Sequence, residues 1–269
     1  MIYNNIAGQD EIKKYLKKSV LNNNISHGYI FEGPKSIGKF ELALVFAQSI
    51  LCQQFNVEPC NKCNSCEKFN TSNHPDLHVL DIKDKSIKRE LVDEIIESIY
   101  KKPYEAEKKV YIINNSHNMT LQAANTFLKT LEEPPKDTVI ILLTINSNLL
   151  LPTVVSRCQV IKFKNINKIE ICKLLIEKYK LDEQKTQIIA DYSKGILNKA
   201  IRIAEEKDDI LKERDSIIKI IDNILRSEKD IIYEYEDYFN EKKDNIDDII
   251  ELIMIWMRDI AFTKKNLDK

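Results

Sequence analysis

The residues from Gly33 to Lys39 have the pattern of a phosphate-binding loop. Gly33, Gly38 and Lys39 stand at the two glycine positions and the lysine position of a P-loop, between a short apolar run and a helical pattern. The next position departs from the pattern, because Phe40 lacks the hydroxyl with which Ser or Thr ligates Mg²⁺. Amides at the start of the helix can still hold an anion, with Lys39 as the counter-charge. The segment is therefore either a degenerate P-loop or a plain strand-to-helix turn. If it is a degenerate P-loop, its sequence does not decide whether nucleotide binds.

A second departure follows the apolar run Val110–Ile113, where hydrolysing P-loop enzymes carry two acidic residues. One acid holds Mg²⁺ and the other orients the attacking water. Asn114 and Asn115 stand at these places, and an amide is not an anion at any pH. The alternative is a core strand that ends in polar turn residues. Because the hydroxyl and both carboxylates are missing together, the pattern predicts a P-loop site that has lost hydrolysis.

A group of cysteines provides the ligands of a metal site. The candidates lie in one short stretch and are Cys52, Cys60, Cys63 and Cys66. Four thiolates form a closed tetrahedral site, which is typical of structural zinc and leaves no position for a substrate. His74 and His78 are alternative fourth ligands, and free cysteines or a redox CxxC are the other interpretations. Cys158 and Cys172 are interpreted as ordinary core cysteines.

Arg157 is the remaining candidate for chemistry. It lies in Ser156-Arg157-Cys158, between a short amphipathic segment, Leu149–Val155, and the last predicted strand. An arginine in this place can satisfy the carbonyl groups at a helix end, which is a common structural role. The tripeptide alone therefore assigns no function to Arg157.

An α/β fold must position these residues. From Tyr29 to Phe163 short apolar runs alternate with helical patterns, which is typical of βα units on a parallel sheet. The five predicted strands are Tyr29–Glu32, Leu77–Ile82, Val110–Ile113, Val139–Leu143 and Val160–Phe163. A helix that contains Leu121–Leu131 must end near Glu133, because Pro134-Pro135 follows it.

Beyond Phe163 the sequence is helical throughout. The helices predicted around the single Gly195 are Ile169–Tyr179, Glu183–Tyr192 and Ile196–Glu206. From about Lys207, charged amphipathic stretches predict antiparallel helices that need a partner for their apolar faces. The apolar residues of the last stretch are Ile246, Ile249, Ile250, Ile253, Trp256 and Ile260. We therefore expect three domains, at 1–165 with the cysteine module at about 52–66, at 166–206 and at 207–269.

The composition narrows the classes of protein. Hydrophobic residues make up 43% of the 269 residues and charged residues 31%, which excludes a wholly disordered chain. The formal net charge of −1 excludes bulk electrostatic attraction to DNA, so any nucleic-acid role must be local or shared with partners. The longest apolar run, Val139–Leu143, is far shorter than the ~20 residues of a membrane span, and no secretion signal follows Met1. We therefore expect a cytoplasmic protein.

Five segments of the chain carry a family resemblance. They are Ile6-Ala7-Gly8-Gln9, the P-loop-like segment, the cysteine group, Ala123-Ala124-Asn125-Thr126-Phe127-Leu128-Lys129-Thr130-Leu131-Glu132-Glu133-Pro134-Pro135 and Ser156-Arg157-Cys158. Together they resemble bacterial clamp-loader subunits of the AAA+ class, over residues 1 to about 205. The run from Leu128 to Pro135 is the most specific of them.

The resemblance implies a fold. It consists of an α/β AAA+ (RecA-like) P-loop domain with a zinc-binding module, an all-α lid of three helices and an all-α collar. The family's motor subunits keep Thr, Asp and Glu at the positions of Phe40, Asn114 and Asn115. The lid arginine that contacts nucleotide falls near Asn198 in this chain. The 63 residues after residue 206 are few for a whole collar, so we expect an incomplete one.

The resemblance also implies a function, that of a non-hydrolysing stator of the DNA polymerase III clamp loader. In that family five subunits, which include delta and gamma/tau, form a ring that loads the sliding clamp onto primed DNA. Zinc is then structural, and Arg157 acts as an arginine finger on ATP held by a neighbouring motor subunit. The isolated chain is then no enzyme, although the holoenzyme is a DNA-directed DNA polymerase, a nucleotidyltransferase. The alternatives are an ATP-hydrolysing motor of the gamma/tau type and a zinc-binding adaptor outside replication.

Overall fold

A computed structural model describes residues 2–3, 6, 8–54, 57–82, 85–205, 209–226, 235–241 and 246–267. The chain divides into two compact units, Met1–Lys164 and Asn165–Lys269. Ala7 of the first motif, residues 55–56 of the cysteine module and the predicted boundary at 206/207 lie outside the described residues, as does the side chain of Asn198.

The first unit alternates strands with helices. Its strands are β1 (Gly28–Glu32), β2 (Leu77–Leu80), β3 (Lys109–Ile113), β4 (Thr138–Thr144) and β5 (Gln159–Lys162). Its helices are α1 (Asp10–Leu21), α2 (Lys39–Leu51), α3 (Asn64–Asn70), α4 (Arg89–Ile99), α5 (Leu121–Glu132) and α6 (Pro152–Val155). The strands form one sheet in the order β2-β3-β4-β1-β5, and every pairing in it is parallel. The predicted five-stranded parallel sheet is thus confirmed.

Two faces of the sheet are covered by helices. On one face, Phe127 and Leu131 of α5 and Val92 of α4 lie in the same buried cluster as Ile30 and Ile140 of the sheet. On the other face α2 packs on β3 and β4, and the ring of its Phe46 lies 5.2 Å from that of Tyr29 in β1. A strand that is buried on both faces of a sheet has a nearly continuous run of apolar residues. Strand β4 is such a strand, because it is buried along its whole length.

The parallel arrangement separates the candidate residues into two groups. The P-loop-like segment follows β1 and the two asparagines follow β3, so both lie at the carboxyl edge of the sheet. Arg157 precedes β5, which pairs with β1 through Tyr29 and Gln159, so it lies at the amino edge. At about 3.3 Å per residue, the two edges of the five-residue β1 are ~13 Å apart.

The regular elements in the described part of the second unit are all helices. Its helices are α7 (Lys168–Tyr179), α8 (Glu183–Ser193), α9 (Leu197–Glu205), α10 (Asp209–Arg226), α11 (Glu236–Glu241) and α12 (Ile246–Leu267). Helix α12 buries Ile249 together with Leu252 and Ile255, two residues absent from the predicted apolar set. Ile246, Ile250 and Ile260 are 37–49% exposed instead. The helix is apolar on more than one side, and its packing on α8 and α10 selects the buried side. A helix with the length and apolarity needed to cross a membrane is absent from the described part of the chain.

Candidate functional site

Gly38 and Lys39 line a cavity of about 270 Å³ at the carboxyl edge of the sheet, whereas Gly33 is not among its lining residues. Gly38, Lys39 and Phe40 form one wall, and Asn114 and Asn115 form another. The structure thus brings together the loop and the pair of asparagines that the sequence placed 74 residues apart, from Phe40 to Asn114. An aromatic ring and two amides occupy the positions where the motor pattern has a hydroxyl and two carboxylates.

The backbone of the loop requires its glycines. Gly38, which precedes α2, has φ +99°, a conformation that side chains with a Cβ rarely adopt. At Gly33 an added Cβ would lie 2.8 Å from Cβ of Phe163. Its amide donates to the carbonyl oxygen of Thr144 at 3.1 Å, which joins the start of the loop to the end of β4. The conformation of the loop therefore depends on glycine at both positions.

Lys39 turns back onto the loop. Its Nζ donates to the carbonyl oxygens of Gly33 and Pro34, each at 2.7 Å, and the residue is only 9% exposed. Burial lowers the pKa of Lys39 to about 8. The lysine that would face a phosphate group in a motor site is engaged here by the loop itself.

The asparagines make local contacts that suit amides. Nδ2 of Asn114 donates to Oδ1 of Asp81 at 2.8 Å, and Oδ1 of Asn114 accepts from the amide of Asn115 at 3.0 Å. Asp81, the residue after β2, was missed by the sequence analysis because it was assigned to the strand Leu77–Ile82. It lines a neighbouring cavity of about 550 Å³ and is absent from the lining of the cavity beside Lys39. This carboxylate therefore lies beside Asn114, on the side of the neighbouring cavity.

The four candidate cysteines converge on one point, and their Sγ atoms all lie within 4.8 Å of one another. Zinc bound at about 2.3 Å by a tetrahedron of sulfurs needs S–S separations of about 3.8 Å. The separation between Sγ of Cys60 and Sγ of Cys66 is 3.9 Å. The donor set and its spacing therefore fit a zinc ion, and these cysteines can hold a metal.

Separate elements position the four sulfurs. Cys52 follows the last residue of α2, Cys60 and Cys63 lie in the turn before α3, and Cys66 lies in the first turn of α3. Sγ of Cys60 accepts from the amides of Lys62 at 3.5 Å and Cys63 at 3.3 Å. The hydrogen bond from Lys62 is the main cause that lowers the pKa of Cys60 to about 6, whereas burial raises the pKa of Cys52 and Cys66.

The two alternative histidine ligands lie elsewhere. Nε2 of His74 lies 2.9 Å from Oγ of Ser65, which donates to the carbonyl oxygen of Leu51 at 2.6 Å. Nδ1 of His74 accepts from the amide of Asp76 at 3.1 Å, and burial lowers the pKa of His74. The ring therefore braces the cysteine module from outside. His78 stacks on Tyr111 with 4.6 Å between the ring centroids.

Asp76 anchors a loop beside the cysteine module. Its carboxylate accepts the amides of Tyr104, Glu105 and Ala106 at 2.6–2.9 Å, and the residue is 1% exposed. Replacing Asp76 with Asn should lower the free energy of unfolding by about 2–3 kcal/mol at pH 7, because the three N–H groups then lose the buried negative charge and face a single carbonyl oxygen. Urea unfolding measures the change. Asp93→Asn, at an exposed carboxylate of α4, should change stability by less than ~0.5 kcal/mol.

The stabilisation of the fold by Asp76 should decrease as the pH falls. Burial raises the pKa of Asp76, but the three N–H hydrogen bonds outweigh it and the pKa is lowered overall. A carboxyl group with a lowered folded pKa stabilises the fold above its unfolded pKa of about 3.9, and this stabilisation is lost as the pH falls through the folded value. The difference between Asp76→Asn and the unmodified chain should therefore shrink below about pH 4. An equal difference at pH 7 and pH 3 would contradict this role.

Arg157 is held at the amino edge by its own chain. Its Nη2 donates to Oε1 of Glu132 at 2.6 Å and its Nη1 donates to the carbonyl oxygen of Thr153 at 2.8 Å. The side chain of Arg157 is 32% exposed. Glu132 was not singled out by the sequence analysis as a partner of Arg157, although it lies in the most specific motif. Since the P-loop lies at the opposite edge of the sheet, Arg157 cannot reach the loop of its own chain.

The other two cysteines are not part of the four-cysteine cluster. Burial raises the pKa of Cys158 to about 12, and its Sγ lies 2.8 Å from where a Cβ on Gly28 would be. Sγ of Cys172 donates to the carbonyl oxygen of Thr186 at 3.7 Å, within the second unit. Both therefore occupy packing positions.

Comparison with known proteins identifies a matching family and several relatives of this chain. A family model described as DNA polymerase III, delta subunit, matches residues 8–167. The chain is 40% identical over 169 residues to DNA polymerase III subunit delta' of Bacillus subtilis. It is 31% identical over 210 residues to subunit tau of the same organism, and 30% identical over 209 residues to subunit gamma/tau of Mycoplasma pneumoniae.

The matched regions differ in extent. The match to delta' covers 63% of this chain and 51% of that relative, whereas the tau match covers 76% and 37%. The chain thus spans about half the length of delta' and less of the tau and gamma/tau proteins. A solved structure of a gamma subunit-related protein from Thermotoga maritima is 21% identical, with a TM-score of 0.49, and covers 80% of this chain and 67% of its own.

Proposed function

The chain belongs to the DNA polymerase III delta subunit family, and from this premise we propose that it is the delta-prime stator of the clamp loader. In this role it does not hydrolyse ATP. It braces the ring that loads the sliding clamp onto primed DNA, and it supplies Arg157 to a neighbouring ATPase subunit. Its partners are the delta and gamma/tau subunits in a ring of five. The working compartment is the cytoplasm, where bacterial replication takes place.

The observation that carries this proposal is the lining of the cavity beside the P-loop. Phe40, Asn114 and Asn115 surround it together, so the Mg²⁺-ligating hydroxyl and both carboxylates are missing from one place. A single replacement would leave a weakened motor. Three replacements around one cavity remove the metal ligands and the group that orients water, which favours the stator over the gamma/tau-like motor.

The position of Arg157 supports the same role. An arginine at the amino edge of the sheet, ~13 Å from the carboxyl edge, is placed to act on a partner and not on its own loop. Guanidinium groups offer fixed, permanently charged donors to phosphate oxygens. A subunit that has lost its own active site therefore still contributes to hydrolysis in the ring.

We propose that Cys52, Cys60, Cys63 and Cys66 hold one zinc ion. Zinc supplies a structural cross-link here, since four protein thiolates leave no open position for a substrate. We further propose the three-domain division at about residues 165 and 206, with a helical collar domain from residue 207. The P-loop residues Gly33, Gly38 and Lys39 form a degenerate site, at which ATP is not hydrolysed and at which binding of ATP is not required.

The isolated chain should show no ATPase activity. Steady-state phosphate release at saturating ATP and Mg²⁺ is expected to equal that of a Lys39→Ala control. Phe40→Thr should not create turnover, because Asn114 and Asn115 still lack the negative charge that holds Mg²⁺ and orients water. Phosphate release clearly above the Lys39→Ala control would establish the motor function instead.

A second measurement separates the stator from the adaptor. The chain should copurify with delta and gamma/tau when the three are coexpressed, in amounts that fit a ring of five. Absence of any complex, with a folded and metal-loaded chain, would favour a zinc-binding adaptor outside replication.

A further inference from the structure

Two motifs that lie 25 residues apart in sequence meet at the amino edge of the sheet. Glu132 is the last residue of α5, and Arg157 follows α6. Their side chains form an ion pair with 2.6 Å between Oε1 and Nη2. The pair is partly accessible, with the side chains 32% exposed for Arg157 and 48% exposed for Glu132.

The contacts fix the guanidinium plane and leave part of it available. Nη2 is bound by Glu132, and Nη1 is bound by the carbonyl oxygen of Thr153 and by Oγ of Ser156 at 3.4 Å. A guanidinium has five N–H groups, so those not used by Glu132, Thr153 and Ser156 can still donate to an external acceptor. An arginine held in this way can bind phosphate oxygens with little further loss of side-chain conformational entropy.

The chain around Glu132 is itself firmly placed. Leu131, the residue before it, is 1% exposed and lies in the core cluster of the sheet. Helix α5 ends at Glu132, and Pro134-Pro135 begins two residues further on, where proline provides no amide to continue the helix. The carboxylate therefore projects from a fixed helix end, not from a loop.

We propose that Glu132 is a positioning residue for Arg157. It holds the guanidinium at the subunit edge in the orientation in which it reaches nucleotide on a neighbouring subunit, and it does not itself contact that nucleotide. This inference rests on the proposed function, since it presumes that Arg157 acts in trans.

The test compares variants of this chain in the ring assembled with its delta and gamma/tau subunits. Glu132→Ala should lower kcat for clamp-stimulated ATP hydrolysis at the adjoining site by about tenfold, with kcat taken as the single-turnover rate constant at saturating ATP. This expected loss is larger than the few-fold effect of removing an exposed ion pair. It is smaller than the ~10²-fold loss that a misplaced catalytic group can cause. KM for ATP should change by less than about twofold, since the remaining contacts with ATP belong to the neighbour. Glu132→Gln keeps an oxygen acceptor and should lose only about threefold.

Two controls make the comparison specific. Glu133→Ala removes the next exposed carboxylate, which forms no ion pair within the described part of the chain, and should leave kcat unchanged. The double variant Glu132→Ala/Arg157→Ala should be no slower than Arg157→Ala alone, because Glu132 acts only through the arginine.

The outcomes distinguish this inference from the proposed function. If Arg157→Ala slows the ring but Glu132→Ala does not, Arg157 acts in trans and the positioning role of Glu132 is wrong. If Glu132→Ala speeds hydrolysis, the ion pair restrains the arginine, which also overturns the inference. If neither variant changes hydrolysis in a fully assembled ring, the trans role of Arg157 fails, and this inference fails with it. A fall in kcat for Glu132→Ala that persists on the Arg157→Ala background would show an independent effect of Glu132.

Discussion

Replacing Arg157 with alanine is expected to slow ATP hydrolysis at the adjoining motor subunit by about 10³-fold, and to slow clamp loading with it. An arginine supplied in trans contributes ~10³–10⁵ in rate in well-studied nucleotide hydrolases, and the lower figure suits a finger that is one of several groups in the site. Single-turnover phosphate release measures the effect, because steady-state turnover also includes the ring's other motor sites. Arg157→Lys should rescue poorly, since lysine lacks the planar fork that spans two phosphate oxygens.

The variant should remain folded and assembled. Arg157 is 32% exposed on its side chain, and its ion pair with Glu132 is worth at most ~1 kcal/mol at such a site. Metal content and copurification with the partner subunits should therefore match those of the unmodified chain. An assembled Arg157→Ala ring that hydrolyses ATP and loads clamps at the unmodified rate would contradict this prediction. Arg157 would then only satisfy carbonyl groups at a helix end.

Purified protein should contain one zinc per chain, and Cys63→Ser/Cys66→Ser should lose it. The four Sγ atoms lie within 4.8 Å of one another, and removal of two leaves too few donors for a closed site. The free energy of unfolding should fall by at least ~3 kcal/mol, the scale on which a cross-link in a loop acts. Elemental analysis and urea unfolding measure the two effects.

Cys172→Ser provides the matched control for this variant. Cys172 lies in the second unit, its Sγ contacts the carbonyl oxygen of Thr186, and it is not a member of the four-cysteine cluster. Its replacement should leave the zinc content at one per chain. Purified protein without stoichiometric zinc, or a double variant that keeps all of it, would show that the cysteine group is not a zinc site.

Features that are decided by residues close together in the sequence could be predicted from it. Each of the five strands was predicted to within two residues of its observed ends, because a strand buried on both faces must be a short apolar run. The end of α5 at Glu132 followed from the prolines after it. The cysteine spacing predicted the clustering of Cys60, Cys63 and Cys66 for the same reason, since one local turn brings them together.

Helix α1 was missed, and the buried side of α12 was assigned only in part. The stretch Asp10–Leu21 has a low mean hydropathy, with lysines at several positions, and its apolar face is narrow. It is helical because it packs on α2. In α12 several apolar stripes compete, and only the contacts with α8 and α10 decide that Leu252 and Ile255 are buried. Local pattern cannot settle either case, since the deciding contacts come from residues far away in the sequence.

What the sequence by itself determined is therefore the set of chemical groups: a P-loop without its hydroxyl, asparagines in place of two acids, four clustered cysteines and one candidate arginine. Only the tertiary structure decided which of these groups meet. The order of the parallel strands places Phe40 and Asn114 around one cavity, and it places Arg157 at the opposite edge. The ion pair of Arg157 with Glu132 and the anchoring of a loop by Asp76 join residues at least 25 positions apart. Such pairings follow from strand order and from the direction in which each helix crosses the sheet, and these are properties of the whole fold and not of any local segment.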